Sequence, residues 1–228
     1  MGKKCDRRST MKRLYIIVEG QTEQEFVKTL IAPYLQKHEI FEVTPILIRT
    51  SKTGRGGFVN YQHLKKDAER LLKSEKKDFI VSMFVDFFRC PEVPHKEKWS
   101  VKSSHIGQVE EMERCIKDDI KDVRFIPYIQ LHEFEALLFA SNEGFNSFFD
   151  EIQKEKAQQI INSYDNPEDI NTTPEGAPSK RILAIKEDYD KVLEGNLIAL
   201  EIGFSKIMEK CTRFRAWIEK LIKLCKES

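Results

Sequence analysis

No apolar stretch in the 228 residues approaches the ~20 that a helix needs to cross a bilayer. No signal peptide is visible either, since Met1 to Thr10 is polar and basic and the apolar run behind it is too short. These two absences argue against a membrane protein and point to the cytoplasm. Net charge is nearly missing as well: 38 basic residues against 37 acidic ones leave +1. The chain therefore has no global field for a polyanion, and any nucleic-acid binding has to come from a local patch. The five cysteines (Cys5, Cys90, Cys115, Cys211 and Cys225) are odd in number and scattered. None of them has the spacing of a zinc knuckle or a redox CxxC, so they read as reduced thiols. A P-loop, an internal repeat and a low-complexity tract are also lacking.

What is present suits a folded core. Hydrophobic residues make up 40% and charged residues 33% of a chain long enough for one large domain or a domain with an appendage. Residues 1–10 read as a flexible basic lead-in. Arg13 to Gly20 (RLYIIVEG) is a short run rich in Ile and Val, ended by Gly, as in a buried strand. Thr22 and Glu25 then have capping-box spacing, and Phe26, Val27, Leu30, Ile31, Tyr34 and Leu35 follow at helical spacing, with Pro33 expected to kink or end the helix. Phe41 to Ile48 predicts a strand that Pro45 places at an edge or a bulge. Tyr61 to Leu72 predicts a helix. Phe79 to Val85 predicts a central strand ending on Asp86, and the stripe from Ile106 to Ile120 predicts an amphipathic helix. Arg124 to Leu131 is a fourth strand, again with a proline, Pro127, and it leads into HEFEALLFA from His132 to Ala140.

Strands alternating with helices predict an α/β fold with a mainly parallel sheet and helices on both faces. That core spans 11–143. Residues 144–228 turn helical and are expected to form a subdomain packed on the core, with a long proline loop from Asn166 to Pro178. Trp217, Ile218 and Leu221 read as core before interface. Ligands of such sheets sit beyond the carboxyl ends of the strands. Glu19, Asp86 and the cluster His132 to Glu135 all fall there. Mg²⁺ takes oxygen ligands, usually one or two carboxylates with waters and substrate phosphate, and Gly20 would let a phosphate approach the backbone beside Glu19.

The segment VEGQTEQEF, Val18 to Phe26, resembles the EGxTE opening of Toprim-type domains found in topoisomerases, primases and overcoming-lysogenization-defect (OLD) nucleases. The remainder is similar to a narrower bacterial family of unknown function within that group. The resemblance rests on GRGGF near Gly57, FVDFFRCP (Phe84 to Pro91), IPYIQLHEFEALLF (Ile126 to Phe139) and APSKRI (Ala177 to Ile182). It implies a Toprim-like fold. It further implies Glu19 as general acid/base or metal ligand, Asp86 as the first acid of a DxD, and Mg²⁺ (or Mn²⁺) as cofactor. The second DxD acid is missing, because the position reads Asp86-Phe87-Phe88. Glu133 or Glu135 could replace it. In a helix, residues two apart diverge, so only one of the pair should face the site, and Glu133 is nearer the strand end. Glu23 and His132 are additional site candidates, His132 being equally well explained as a hydrogen-bonded structural histidine.

Arg49, Lys52 and Arg55 in a glycine-rich loop could clasp phosphates, an ordinary surface loop being the equal alternative. Lys180 could balance transition-state charge with Arg181 beside it, or both could simply start a helix. The expected activity is metal-dependent phosphodiester hydrolysis of DNA or RNA. The alternative is a non-catalytic or conditionally active subunit. The resemblance implies an ATP-binding-cassette (ABC)-type ATPase as its partner, in a bacterial defence-like setting.

Overall fold

The computed structural model describes residues 12–49, 60–73, 78–87, 104–170 and 176–227. Its sheet consists of β1 (Arg13–Val18), β2 (Val43–Leu47), β3 (Phe79–Asp86), β4 (Phe125–Ile126) and β5 (Ile129–Gln130). Every pairing is parallel, in the order β2-β1-β3-β4, with β5 also on β3. This is the mainly parallel α/β sheet that the alternating pattern predicts.

β3 is buried along its whole length, as its apolar composition requires. Ser82, polar in the middle of it, is satisfied: its hydroxyl donates to Ile126 O at 2.6 Å and accepts from Trp217 Nε1 at 2.9 Å. The two prolines lie at opposite edges, Pro45 inside β2 and Pro127 between β4 and β5. Pro127 interrupts the ladder because it has no N–H to donate. It inserts no bulge, since the register continues unchanged from Val81 with Phe125 to Val85 with Ile129.

Alternation along the strands divides the core in two. Leu14, Ile16, Val18, Ile80 and Phe84 face one side, and Ile17, Val81, Met83 and Val85 face the other. The second side is covered by α3 (Tyr61–Leu72) and α4 (His105–Ile120), through Leu64, Ala68, Val109, Met112 and Ile116. Asn60 and Ser104 cap these helices, accepting Gln62 N–H at 2.7 Å and Gly107 N–H at 3.2 Å.

The first side carries α1 (Gln21–Phe26), a π-turn (Val27–Ile31) and α2 (Ala32–Lys37), which follow one another without a break. Pro33 neither ends nor breaks the run. The ladder widens just before it, with Ala32 N–H reaching back to Val27 O, and this π geometry absorbs the missing proline donor. The cap also differs from expectation. Gly20, not Thr22, is the capping position, and Glu23, not Glu25, folds back to accept Gly20 N–H at 2.9 Å.

The later helices pack on this same side. They are two 3₁₀ helices (Phe134–Ala140 and Asn142–Phe145), α5 (Glu151–Asn162), a 3₁₀ turn (Pro167–Asp169), α6 (Pro178–Ile185), α7 (Leu193–Ile202), α8 (Phe204–Lys210) and α9 (Thr212–Lys226). The segment expected as one proline loop thus holds a 3₁₀ turn and the start of α6. Ile198, Ile207, Phe214, Trp217 and Leu221 share one apolar cluster with β1 and β3. Trp217 stacks on Tyr128 at 4.4 Å and on Phe84 at 5.5 Å, so the aromatic stripe of α9 is core. Cys115, Cys211 and Cys225 are buried free thiols. Among the described residues, no helix is long and apolar enough to cross a membrane.

Candidate active site

β1 connects to β2 over one face of the sheet, while β3 leads to β4 over the other, through α4. The chain order therefore reverses between β1 and β3, and a crevice opens at their carboxyl ends. Glu19 follows β1 directly and Asp86 ends β3. The Asp86 N–H points at Glu19 Oε2 across 3.4 Å, which places the two side by side. Glu23, one turn into α1, is held beside them by its bond to Gly20 N–H. Space there is tight: a Cβ on Gly20 would stand 3.0 Å from Glu23 Oε2.

The third contribution comes from the chain leaving β5. His132 takes a left-handed backbone (φ 67°) and Glu133 an extended one (φ −146°, ψ 159°) before the 3₁₀ helix begins at Phe134. Asp86 Oδ1 accepts Phe134 N–H at 2.9 Å and so docks this helix start onto β3. Glu133 and Glu135 both line the crevice, contrary to the expectation that only one could. Glu133 stands outside the helix, so helical spacing does not separate the pair. Glu133 is half-buried, and its Oε2 accepts Ser179 N–H at 3.0 Å. Glu135 is 0% exposed and neither of its oxygens receives a well-aligned hydrogen bond.

The cation in this cluster is Lys191, in the turn before α7, which the sequence did not single out. Its Nζ lies 3.1 Å from Glu135 Oε2, 3.6 Å from Asp86 Oδ2 and 3.9 Å from Glu23 Oε1. Burial pushes the Asp86 carboxyl well above the usual carboxylate range; Lys191 opposes the shift, and Glu23, Glu19 and Glu135 add to it. Burial likewise raises the carboxyls of Glu23 and Glu135 against the pull of Lys191. For Lys191, burial alone would lower the ammonium's pKa, but Asp86, Glu135 and Glu23 outweigh it and raise it. Burial is the main cause of these raised carboxyls, and the neighbouring acids add to it.

The crevice has a volume of about 450 Å³, with Gly20, Ser179, Lys180 and Tyr189 also in its wall. Lys180 is exposed at its rim, in the first turn of α6. The other basic candidates lie elsewhere. Arg181 donates to Gly176 O at 2.8 Å and Tyr164 OH at 3.2 Å, so it is occupied in holding the start of α6. Arg49 has an exposed side chain outside the crevice, and its N–H donates to Asp67 Oδ2 at 3.0 Å. Lys52 and Arg55 lie outside the described residues, as does Phe88. His132 turns away from the acids, its ring 5.2 Å from that of His105, and burial followed by the charge of His105 lowers it to about 4. Lowered this far, its ring carries no charge near neutral pH.

Carboxylates of Glu19, Glu23, Asp86, Glu133 and Glu135 make an all-oxygen donor set, which suits a hard divalent cation. The buried Glu135 carboxylate, whose close partner is the Lys191 ammonium at 3.1 Å, fits the same purpose. Among the described residues, however, no three His, Cys, Asp or Glu side chains are spaced to cage an ion. The residues fit in kind, while their spacing surrounds an ammonium.

One consequence can be measured on the protein alone. Glu135→Gln should raise stability at pH 7 by about 1–2 kcal/mol, since a buried acid is neutralised while Lys191 keeps Asp86 and Glu23. For a chain of this size that is a rise of several degrees in Tm, roughly 2–4 °C per kcal/mol. The Glu135 carboxyl is raised in the folded state, so it costs stability above its folded pKa and the cost disappears below its unfolded one. The gain should therefore fade as the pH falls through that range. Thermal melts between pH 4 and 8 check this, and a lower Tm for the variant at pH 7 would contradict it.

No curated protein matches the chain in sequence. Among solved structures, it is similar to the C-terminal region of the Burkholderia pseudomallei OLD protein, with 14% identity over 95% of this chain and 99% of that one, at a TM-score of 0.49. It is also similar to the C-terminal region of the Xanthomonas campestris pv. campestris OLD protein, with 13% identity over 94% and 96%, at a TM-score of 0.44. The family profile described as Domain of unknown function (DUF4276) matches residues 18–222. That match spans most of the sequence, and the chain belongs to the DUF4276 family.

Proposed function

We propose that this protein is a Toprim-type hydrolase of phosphodiester bonds in DNA or RNA, dependent on Mg²⁺ or Mn²⁺. The observation that carries this reading is the convergence of Glu19, Glu23, Asp86 and Glu135 on one crevice at the switch point of a parallel sheet. Asp86 and Glu135, with Glu19 or Glu133, would hold the cation. When bound, the cation supplies an acidified water and neutralises charge on the phosphoryl group. Glu19 stands at the strand end where it can take the proton of the attacking water. Lys180, on the rim, meets the phosphate from the solvent side. A crevice of about 450 Å³ lies in the usual range for a ligand site and admits a nucleotide unit.

A second reading is a subunit that stays inactive until a partner, such as an ABC-type ATPase, engages it. Two observations favour it: no acid stands two residues after Asp86, and an ammonium occupies the centre of the acids. Plasmid, single-stranded DNA and tRNA incubated with the pure protein in Mg²⁺ and in Mn²⁺ separate the two. The first reading expects slow, cation-dependent cleavage that disappears in Glu19→Ala. Cleavage surviving that substitution would remove Glu19 from the chemistry, and no cleavage of any substrate would leave the second reading.

A further inference from the structure

Three carboxylates from three separate elements, α1, β3 and the 3₁₀ helix after β5, converge on the Lys191 ammonium at 3.9, 3.6 and 3.1 Å. A bound Mg²⁺ would need such oxygens at about 2.0–2.1 Å. Ion and ammonium cannot both occupy that position, because they would compete for the same lone pairs and repel each other at contact distance. We propose that Lys191 is a resident counter-ion that keeps the cation position closed, and that an arriving divalent cation expels it towards the mouth of the crevice. This inference rests on the cation-dependent reading above and adds a rule for how the site is filled.

Three features support it. Glu135 is fully buried and receives no aligned hydrogen bond. Its nearest ionic partner among the described residues is Lys191, at 3.1 Å, so its oxygens are open to a stronger ligand. The Lys191 side chain is 39% exposed despite its three partners, which leaves its flexible stem a route to solvent. The turn that carries it is pinned separately: Lys186 Nζ bonds Glu194 at 2.9 Å and contacts Asp188 at 2.9 Å. Asp190 Oδ1 also accepts the N–H groups of Val192 and Leu193 at 2.9 and 3.0 Å. Expulsion therefore needs rotation of one side chain and no unfolding of the turn. The arrangement also explains how so many buried acids coexist before an ion arrives, with the ammonium acting as their counter-charge.

The test reads Lys191 itself. Wild-type protein is treated with an amine-acylating reagent with and without saturating Mn²⁺, and the modification at Lys191 is quantified by peptide mass spectrometry, with exposed Lys37 as the internal control. Calorimetric Mn²⁺ titrations of wild type and Lys191→Met accompany it. The expected result is a several-fold rise in Lys191 acylation with Mn²⁺, no change at Lys37, and Mn²⁺ affinity at least about ten-fold tighter in Lys191→Met. Mn²⁺ binding that depends on Asp86 while Lys191 acylation stays constant or falls would overturn the inference and leave the cation reading standing. No Mn²⁺ binding by wild type or Lys191→Met would overturn both. If Lys191→Met fails to fold, the wild-type acylation decides alone.

Discussion

Asp86→Asn is expected to abolish Mn²⁺ binding and any cation-dependent cleavage while leaving the fold intact. Losing an outer partner of a metal ligand already lowers affinity about 10–100-fold, and losing a central carboxylate should exceed that. Asparagine is the right probe because Asp86 has two jobs. Its Oδ1 accepts Phe134 N–H at 2.9 Å, and the amide oxygen of asparagine can still do so, whereas alanine would leave that buried N–H unpaired at roughly 1–3 kcal/mol. Its charge is the other job. Burial raises this carboxyl well above its ordinary range, so the neutral amide should not destabilise the protein, and Lys191 retains Glu135 and Glu23. Calorimetry with Mn²⁺ and a thermal melt on both proteins check the two halves. Equal Mn²⁺ binding by wild type and variant would remove Asp86 from the site.

Phe26→Ala is expected to cost about 3–5 kcal/mol, a large share of the ~5–15 kcal/mol that keeps a typical domain folded. Phe26 is fully buried where α1 meets the sheet and the later helices. Its ring stands 5.1 Å from Phe134, 5.9 Å from Phe214, 6.0 Å from Phe84 and 6.4 Å from Phe204. Those neighbours come from four different elements, so the surroundings have little freedom to close over the cavity left behind. Phe134 also starts the 3₁₀ helix that carries Glu135, and the loss should reach the site as well as the core. Urea denaturation with an unchanged slope measures it; a loss below about 1 kcal/mol would show that the cluster collapses around the gap. Phe41→Ala, at a residue 65% exposed, should change stability by no more than about 0.5 kcal/mol and serves as the control.

The sequence by itself determined where β1, β2 and β3 run and what stands at their ends, while the single strand expected from Arg124 to Leu131 is two, β4 and β5, parted at Pro127. Apolar runs after Arg13 and from Phe79 mark β1 and β3, the prolines mark the two edges, and α3 begins and ends where its period does. Such signals are local, since burial on one or both faces writes itself into consecutive residues. Glu19 and Asp86 were legible for the same reason, each directly following a run. Tertiary structure decided the rest of the crevice. It put Glu133 and Glu135 together by starting the 3₁₀ helix between them. It turned His132 towards His105, and it engaged Arg181 with Gly176 and Tyr164. Most of all, it brought Lys191 from a polar turn far along the chain to the middle of the acids. A charge pair between distant residues leaves no period and no spacing in the sequence, because only the folded sheet and the helices on it bring its members within reach.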